Sequence, residues 1–524
     1  NQFHARSSYH WLYGRRRKRR ETSFSARRRS GNKSTRVEIV LKNKMRPTLP
    51  VLVLAILFKV TLAITLVYLS KNDLNSPIYL TGDDTKNYIT PLENLYSEGR
   101  LYTSIGAENQ EHIMRMPGFL PFYLPLRFFL EKKDTLNSIV IIQCVFDAVS
   151  SLLMASLVSG FFIKRRKRIF WLVLIILLIS TYNSIYNIYI LSESLSTSLY
   201  LMATYFLIKV KSSSIRPIFG GILMGISVFL KPYFLALLLI SALYYWFSIE
   251  KEKKLKLKDI LYFLSPTLFF LVCWNLYNIS EFDFLVKIQA PRGFRVSLDD
   301  ENAAKHQFME LCRITGNDYV SWEPTSLAYS IFNPKVEHLD KHWFPESFFN
   351  QEFSLSSLDS LRHQYFLSES MSLSNQEDTQ IKITTEIRNA LENFKQKEPF
   401  QYHVLSRIKV TFLFFKQSPA YNFPFPLWDK QTYVQKTFKV FYSLLFYIVL
   451  VTGLLGIISS IKLRLTQMSI FLSAFAFIIF LFPVVRISCE HRYFVLAYVM
   501  LIPFSAITID LFLHNFQLRK INPH

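Results

Sequence analysis

Cysteine is scarce in this chain. Its 524 residues contain four, Cys144, Cys273, Cys312 and Cys489, too few for a disulfide framework and at no spacing that suits zinc. Cys144 and Cys273 fall inside apolar runs and read as packing residues. Cys312 and Cys489 fall in segments placed outside the membrane below, so a bridge between them is the one pairing that stays open. There is no Walker loop, dinucleotide fingerprint, internal repeat or low-complexity tract, which removes the glycine-rich modes of nucleotide binding and the repeat architectures. Acids are in the minority, 38 against 61 Lys and Arg, for a formal net charge of +23. Residues 1–44 alone hold 14 Lys/Arg and two acids, net +12. The run "GRRRKRR" there could suit nucleic acid or anionic lipid. The segment nevertheless lacks an apolar face, is rich in Arg and Ser, and precedes a membrane span. It is read as a disordered cytoplasmic tail that helps fix topology, and no nucleic-acid partner is expected. The first Met is Met45, so a tag, a fusion remnant or a misassigned start is the alternative for residues 1–44. The first apolar block is long enough to stay as an anchor rather than be cleaved as a signal peptide.

Apolar residues are plentiful, 50% of the chain with Phe 48 and Tyr 28. They gather into blocks of roughly 20 residues with few charges, the pattern of transmembrane helices. The blocks lie at about 49–69, 138–162, 169–188, 193–209, 217–230, 233–248, 260–279, 437–459, 467–485 and 494–513. Their connections "KRRKR" (164–168), "KVKSSSIR" (209–216), "KEKKLKLK" (251–258) and "IKLR" (461–464) are basic and fall on one side, together with both termini. The positive-inside rule makes that side cytoplasmic. The expectation is an all-α polytopic membrane protein of about ten spans. Residues 45–279 would form an N-terminal membrane module of seven spans, and 437–524 a C-terminal module of three. Two long extracytoplasmic segments are expected, 70–137 and the larger 280–436 ahead of the last three spans; loops of this size are usually functional. Both flanks of "FGGILMGISVFLKPYFLALLLISALYYWF" (219–247) are basic, so the chain must cross twice there, turning at Lys231-Pro232. That leaves Lys231 in a recess at or below the outer surface. "RMPGFLPFYLPLRFFL" is too short and interrupted to span and reads as an interfacial helix; a helical pattern covers about 376–396.

Two charges sit where charge is expensive. Lys59 lies about ten residues from the outer end of the first block, and Asp147 about nine from that of the second. The two spans run antiparallel, so both lie roughly 14 Å deep. Pairing reduces the cost of an intramembrane charge, so a Lys59–Asp147 contact is expected. Its plain reading is two helices locked together; a proton or ion relay is the sharper one. The other blocks carry almost no ionisable residues, which weakens a transporter reading.

The remaining charges cluster at the outer ends: Asp83, Asp84, His112, Arg115, Glu193, Lys231, Arg486, Glu490, His491 and Arg492. Asp83 and Asp84 stand in "TGDDTKNY", ahead of a helix. A helix cap accounts for one Asp and leaves the other over; Asp84 is nearer the helix start, so Asp83 is the better candidate base. Glu193 follows Ser192, and a Ser192 cap with Glu193 beside the positive helix end explains that acid adequately. Each base alone would snorkel to lipid headgroups. Lys231, Arg115, Arg492 and Arg486 together, near carboxylates, suggest a phosphate cradle. Nothing demands a metal, although adjacent Asp83 and Asp84 could hold Mg²⁺ or Mn²⁺.

Taken in order, the acid pair, "RMPGFLPFYLPL", "IQCVFDAVSSLLMASLV", "GGILMGISVFLKP", "WNLYN" and "EHRYFVLAYVMLIP" resemble the membrane glycosyltransferases of the GT-C class. The branch the chain looks most like holds the bacterial protein-mannosyltransferase-like and aminoarabinose-transferase-like proteins. The likeness covers most of residues 49–510 and is weakest over 280–380. It implies a GT-C-like bundle and transfer of a sugar from a polyprenyl-phosphate carrier to a lipid, glycan or protein acceptor on the outer side of a bacterial inner membrane. The endoplasmic reticulum is the alternative membrane. Catalytic roles fall on Asp83 or Asp84 and on Glu193; the carrier phosphate falls to Lys231, with Arg115, Arg492 and Arg486. No cofactor is required, and membrane lipids are the other partners. The chain departs from the pattern at Tyr277-Asn278, where relatives often have Arg before the Asn, and at Lys231, where many have Arg. The alternatives from other classes are a lipid or glycan flippase or transporter and a non-catalytic assembly subunit.

Overall fold

A computed structural model describes residues 49–71, 76–82, 84–101, 116–209, 215–249, 251–282, 304–316, 326–368, 371, 373–416, 418–487 and 490–521. Expectations for residues 1–44, Asp83, His112, Arg115 and Cys489 lie outside these residues. The described chain is all-helical apart from one isolated bridge, Leu80 to Tyr189.

Each of the ten apolar blocks lies on helix. They correspond to α1 (Leu49–Lys71), α4 (Lys132–Ser159), α5 (Arg166–Ile179) with α6 (Thr181–Ile188), α7 (Ser192–Ile208), α8 (Ile215–Leu230), α9 (Phe234–Ser248), α10 (Lys253–Phe282), α16 (Tyr433–Lys462), α17 (Ser469–Ile479) with a π-helical turn Phe480–Arg486, and α18 (His491–Ile521). Between them run α2 (Thr85–Glu98) and α3 (Leu120–Arg127), then α11 (Ala304–Ile314), α12 (Leu327–Phe332), α13 (Leu355–Ser368), α14 (Leu373–Lys397) and α15 (Ser406–Lys416). Among the described residues, six helices are long and apolar enough to cross a membrane, or seven if α5 and α6 count as one bent span. This is an integral, multi-pass membrane protein. The shortfall from ten has a physical basis. α7, α8 and α9 have 17, 16 and 15 residues, roughly 23–26 Å of helix against a hydrocarbon core of roughly 30 Å.

The helices pack by close backbone approach, as expected where lipid supplies no hydrophobic drive. A Cβ on Gly456 of α16 would lie 2.1 Å from the Phe504 carbonyl of α18, and one on Gly221 of α8 would lie 2.2 Å from the Phe263 carbonyl of α10. Both membrane modules share one hydrophobic cluster, running from Ala55 to Ile507. Residues 304–402 build a second, around Phe308, Phe348, Leu358 and Phe394. The segment 280–436 therefore divides: Val410, Phe414, Ala420 and Phe423 belong to the membrane cluster, and α15 leads from one core to the other. Cys312 is buried in the second cluster, Cys144 in the first, while Cys273 is exposed on α10.

The two ends of the bundle differ. At one, Asp510 near the end of α18 is paired with Arg165 (2.9 Å) and Arg168 (3.4 Å) of the basic run before and in α5. At the other, hereafter the Asp84 end, α1, α6, α8 and α10 finish while α4, α7, α9, α16 and α18 begin.

Candidate functional site

The Asp84 end is assembled by backbone pairing. Leu80 N donates to Ile188 O (2.7 Å), and Ile190 N donates to Leu80 O (3.0 Å). Thr85 Oγ1 accepts from Gly82 N (2.9 Å) and donates to Ile190 O (3.1 Å). These bonds hold the start of α2 against the turn before α7. Asp84 occupies the cap position of α2, yet its side chain makes no capping bond; its Oδ2 instead meets the guanidinium of Arg492. Ser192 likewise does not cap α7, whose cap position is Leu191; its hydroxyl bonds Tyr88 OH at 2.7 Å. Neither Asp84 nor Ser192 caps its helix, because tertiary partners claim these side chains; Glu193 does lie in the first turn of α7, beside its positive end.

Arg492, in the first turn of α18, joins three acids. Besides Asp84 it reaches Glu490 Oε2 (2.5 Å), and its Nε lies 3.9 Å from Glu193 Oε1. Lys231, in the turn between α8 and α9, donates to Glu193 Oε1 at 2.8 Å. Lys231 and Arg492 both approach the ring of Tyr493, at 5.1 and 5.3 Å, and that ring stacks on Phe482 at 4.2 Å. Glu193, Lys231 and Glu490 are buried, and Glu193 Oε2 is a buried carboxylate oxygen with no hydrogen-bond partner among the described residues. The cluster so far holds three carboxylates and two cations. Its cations are already engaged by internal acids, so an anionic ligand must compete for them. It also keeps one acceptor oxygen in reserve.

Of the residues expected here, Asp84, Glu193, Lys231 and Arg492 come together. Arg486 does not. It ends the π turn, is exposed, and makes no ion pair among the described residues. The chain reverses at the next residue, Ile487, in the left-handed region (φ 49°). Glu490 had no assigned role and proves to be a member. Among the described residues no group of three or more His, Cys, Asp or Glu side chains is arranged to hold a metal ion.

Lys59 and Asp147 meet in the bundle interior, Nζ to Oδ2 at 2.9 Å, both buried. Lys59 also donates to Leu177 O (2.9 Å) and Ser184 Oγ (2.7 Å). Asp147 accepts from Asn183 (2.8 Å) and Asn187 (2.9 Å). The partners come from the break between α5 and α6, where the axis bends by 43°. A broken helix leaves carbonyls without partners and a negative dipole end, and the Lys59 ammonium serves both. Asn187 Oδ1 accepts from Ser194, so a buried hydrogen-bonded chain runs from this pair to the residue next to Glu193. The polar letters of "TYNSIYN" in an otherwise apolar block were the sequence signal for it.

A third cluster fastens α2 to α3. Glu93 Oε1 accepts from Tyr123 OH (2.6 Å) and Arg127 Nε (2.9 Å), and Arg127 stacks on Tyr96 at 4.3 Å. Burial alone would raise the Glu93 pKa, but the bonds from Tyr123 and Arg127 outweigh it and hold the carboxyl below its ordinary range. Burial, then the bond to Glu93, pushes the Tyr123 phenol upward.

No protein-family model matches this chain, and no curated protein or solved structure matches it either.

Proposed function

We propose that the chain is a GT-C-like glycosyltransferase with about ten transmembrane helices. It moves a sugar from a polyprenyl-phosphate carrier to a lipid, glycan or protein acceptor, with inversion at the anomeric carbon. In this reading the short helices α7, α8 and α9 also cross, both termini are cytoplasmic, and the Asp84 end faces outward from a bacterial inner membrane. The observation that carries it is the convergence of Asp84, Glu193, Lys231 and Arg492, with Glu193 Oε2 buried and unbonded among the described residues. An assembly subunit gives no reason for that convergence.

The chemistry follows from the charges. The carrier phosphate competes for Lys231 and Arg492. As Arg492 turns to it, Asp84 is released. A carboxylate, Asp84 or the adjacent Asp83, then takes the acceptor hydroxyl proton as the oxygen attacks the anomeric carbon. The bond from that carbon to the phosphate oxygen breaks, and Lys231 and Arg492 neutralise the negative charge left on the phosphate. Glu193 holds Lys231 in place and offers Oε2 to a ligand donor. No metal is needed for these steps, and Mg²⁺ or Mn²⁺ at the acid pair is an addition the reading tolerates.

The flippase or transporter reading draws on the bend of α5–α6 beside Lys59. The pair there is saturated with hydrogen bonds, which favours a lock over a pathway. The test is transfer from a polyprenyl-phosphate sugar in vesicles, with Asp83→Asn, Asp84→Asn and the double variant. Transfer should be lost in the double. Full activity in the double would reject the catalytic assignment, and solute flux without transfer would favour the transporter.

A further inference from the structure

α15 follows a π-helical turn, Gln401–Leu405, and the two carry two apolar faces. Tyr402, Ser406, Val410 and Phe414, four residues apart, are buried. Phe400, Val404, Ile408 and Phe412, also four apart, are 62, 38, 57 and 68% exposed. None of these residues falls in the ten apolar blocks, because α15 has only 11 residues and Arg407, Lys409 and Lys416 interrupt it. A helix that is apolar on opposite faces needs a cover for both.

Its neighbours place α15 at membrane depth. Phe414 and Phe415 pack on Phe494 of α18, with ring centres 4.9 and 5.5 Å apart, and Phe415 packs on Phe475 of α17 at 6.4 Å. Tyr447 OH of α16 donates to Lys416 O at 2.5 Å, and Ser418 Oγ to Ser443 Oγ at 3.0 Å. All four partners lie in the apolar blocks of the last three spans. Ser443 and Tyr447 are ten and fourteen residues past the start of α16, roughly 15 and 21 Å along it from the Asp84 end.

The chain nevertheless enters and leaves at that one end. On the way in, Arg407 Nε donates to Val484 O (3.1 Å) in the π turn before α18. On the way out, Asn422 Nδ2 donates to Tyr186 OH (3.1 Å), Ser70 Oγ at the close of α1 donates to Pro424 O (2.7 Å), and Gln435 Nε2 donates to Leu69 O (2.5 Å). The descending limb is helical and bonds its own backbone. The returning limb is irregular, and its Ala420 and Phe423 are buried in the membrane cluster. Hydrocarbon permits this division: irregular backbone where protein covers it, helix where lipid does.

We propose that α15 and the limb 418–432 form a re-entrant membrane segment, and that acyl chains of the lipid leaflet at the Asp84 end cover the Phe400–Phe412 face. The neighbours on either side are open in the same way: Phe441, Leu444 and Ile448 of α16, and Phe480 and Val485 beyond α17, are exposed. Lys409 and Lys416 are exposed as well. Helical side chains tilt toward the helix N-terminus, here the Asp84 end, so both ammonium groups reach toward the headgroups.

The test places a photoreactive benzophenone side chain at Phe412, Ile408, Leu444 or Lys382, one at a time, in the full chain in phosphatidylcholine nanodiscs. Variants that elute with wild type on gel filtration are compared, so that a missing adduct reports placement and not misfolding. Irradiation should add the mass of one phospholipid at Phe412 and at Ile408, attached through an acyl chain, as at Leu444 within the α16 span. Lys382, exposed on α14, should add none. A cross-link between two copies of the chain at Phe412 or Ile408 would give the face to a dimer. No adduct at either position while Leu444 labels would put the face in water. Attachment through headgroups alone would leave α15 on the membrane surface. Each of these three results overturns the proposal.

Discussion

Lys59→Met tests the interior of the bundle. It removes the ammonium and leaves the Asp147 carboxylate buried. Breaking a buried ion pair from one side costs about 3–5 kcal/mol. Asp147 would keep the Asn183 and Asn187 donors, which places its share near the lower limit. Leu177 O, at the end of α5, would lose its added donor, worth about 1 kcal/mol. The single variant should therefore lose about 4 kcal/mol by these magnitudes. Asp147→Asn leaves the ammonium with neutral acceptors only, at a cost of about 3 kcal/mol. The double variant Lys59→Met/Asp147→Asn contains no buried charge. Its remaining defects are the Leu177 carbonyl and an amide facing two other amides, for a cost of about 4 kcal/mol rather than the sum of the singles. A coupling of about 3 kcal/mol is expected. Equilibrium unfolding of the purified protein in mixed detergent measures it. Additivity within about 0.5 kcal/mol, or a Lys59→Met variant as stable as wild type, would refute the view of the pair as a lock across the broken helix.

Other perturbations reach other parts of the molecule. Glu93 has a depressed pKa, so its contribution to the α2–α3 junction is present above the ordinary carboxylate range and is lost as pH falls through the lower folded value. Protection of residues 85–98 against hydrogen exchange, taken relative to the intrinsic rate at each pH, should fall below about pH 4.5, and Glu93→Gln should abolish that pH response. Gly456→Ala puts a methyl 2.1 Å from the Phe504 carbonyl and should cost about 1–3 kcal/mol by forcing α16 from α18; an unchanged melting temperature would contradict the close approach. Arg492→Ala leaves Asp84, Glu193 and Glu490 facing one another and should abolish the proposed sugar transfer. Arg492→Lys should recover little, because an ammonium cannot present the fork that meets several carboxylates; full transfer by the Lys variant would show that charge alone suffices.

Much of the frame could be read from the sequence. The ten apolar blocks all fall on helices, because burial in hydrocarbon obliges the backbone to bond within its own segment. The depth of Lys59 and Asp147 followed from counting residues along antiparallel spans, and such charges have few ways to be satisfied except by each other. The helix after "TGDD" and the turn at Lys231 were also legible, since Gly, Pro and charge punctuate the chain locally. Side-chain allegiance was not. Asp84 sits at a cap position and Ser192 opens α7, yet they were claimed by Arg492 and Tyr88, partners hundreds of residues away or on another helix. Arg486 and Arg492 looked equivalent in one short loop, and the reversal at Ile487 separated them.

By itself the sequence determined which segments are helical, that they are apolar enough for a membrane, and where charge would be expensive, because these depend on composition and period along one segment. Only the tertiary structure decided which of those helices are long enough to cross alone, where the third block breaks, and which acids share Arg492. Those outcomes depend on distances between segments remote in sequence, and at the Asp84 end a few ångströms separate a helix cap from a member of a buried ion cluster.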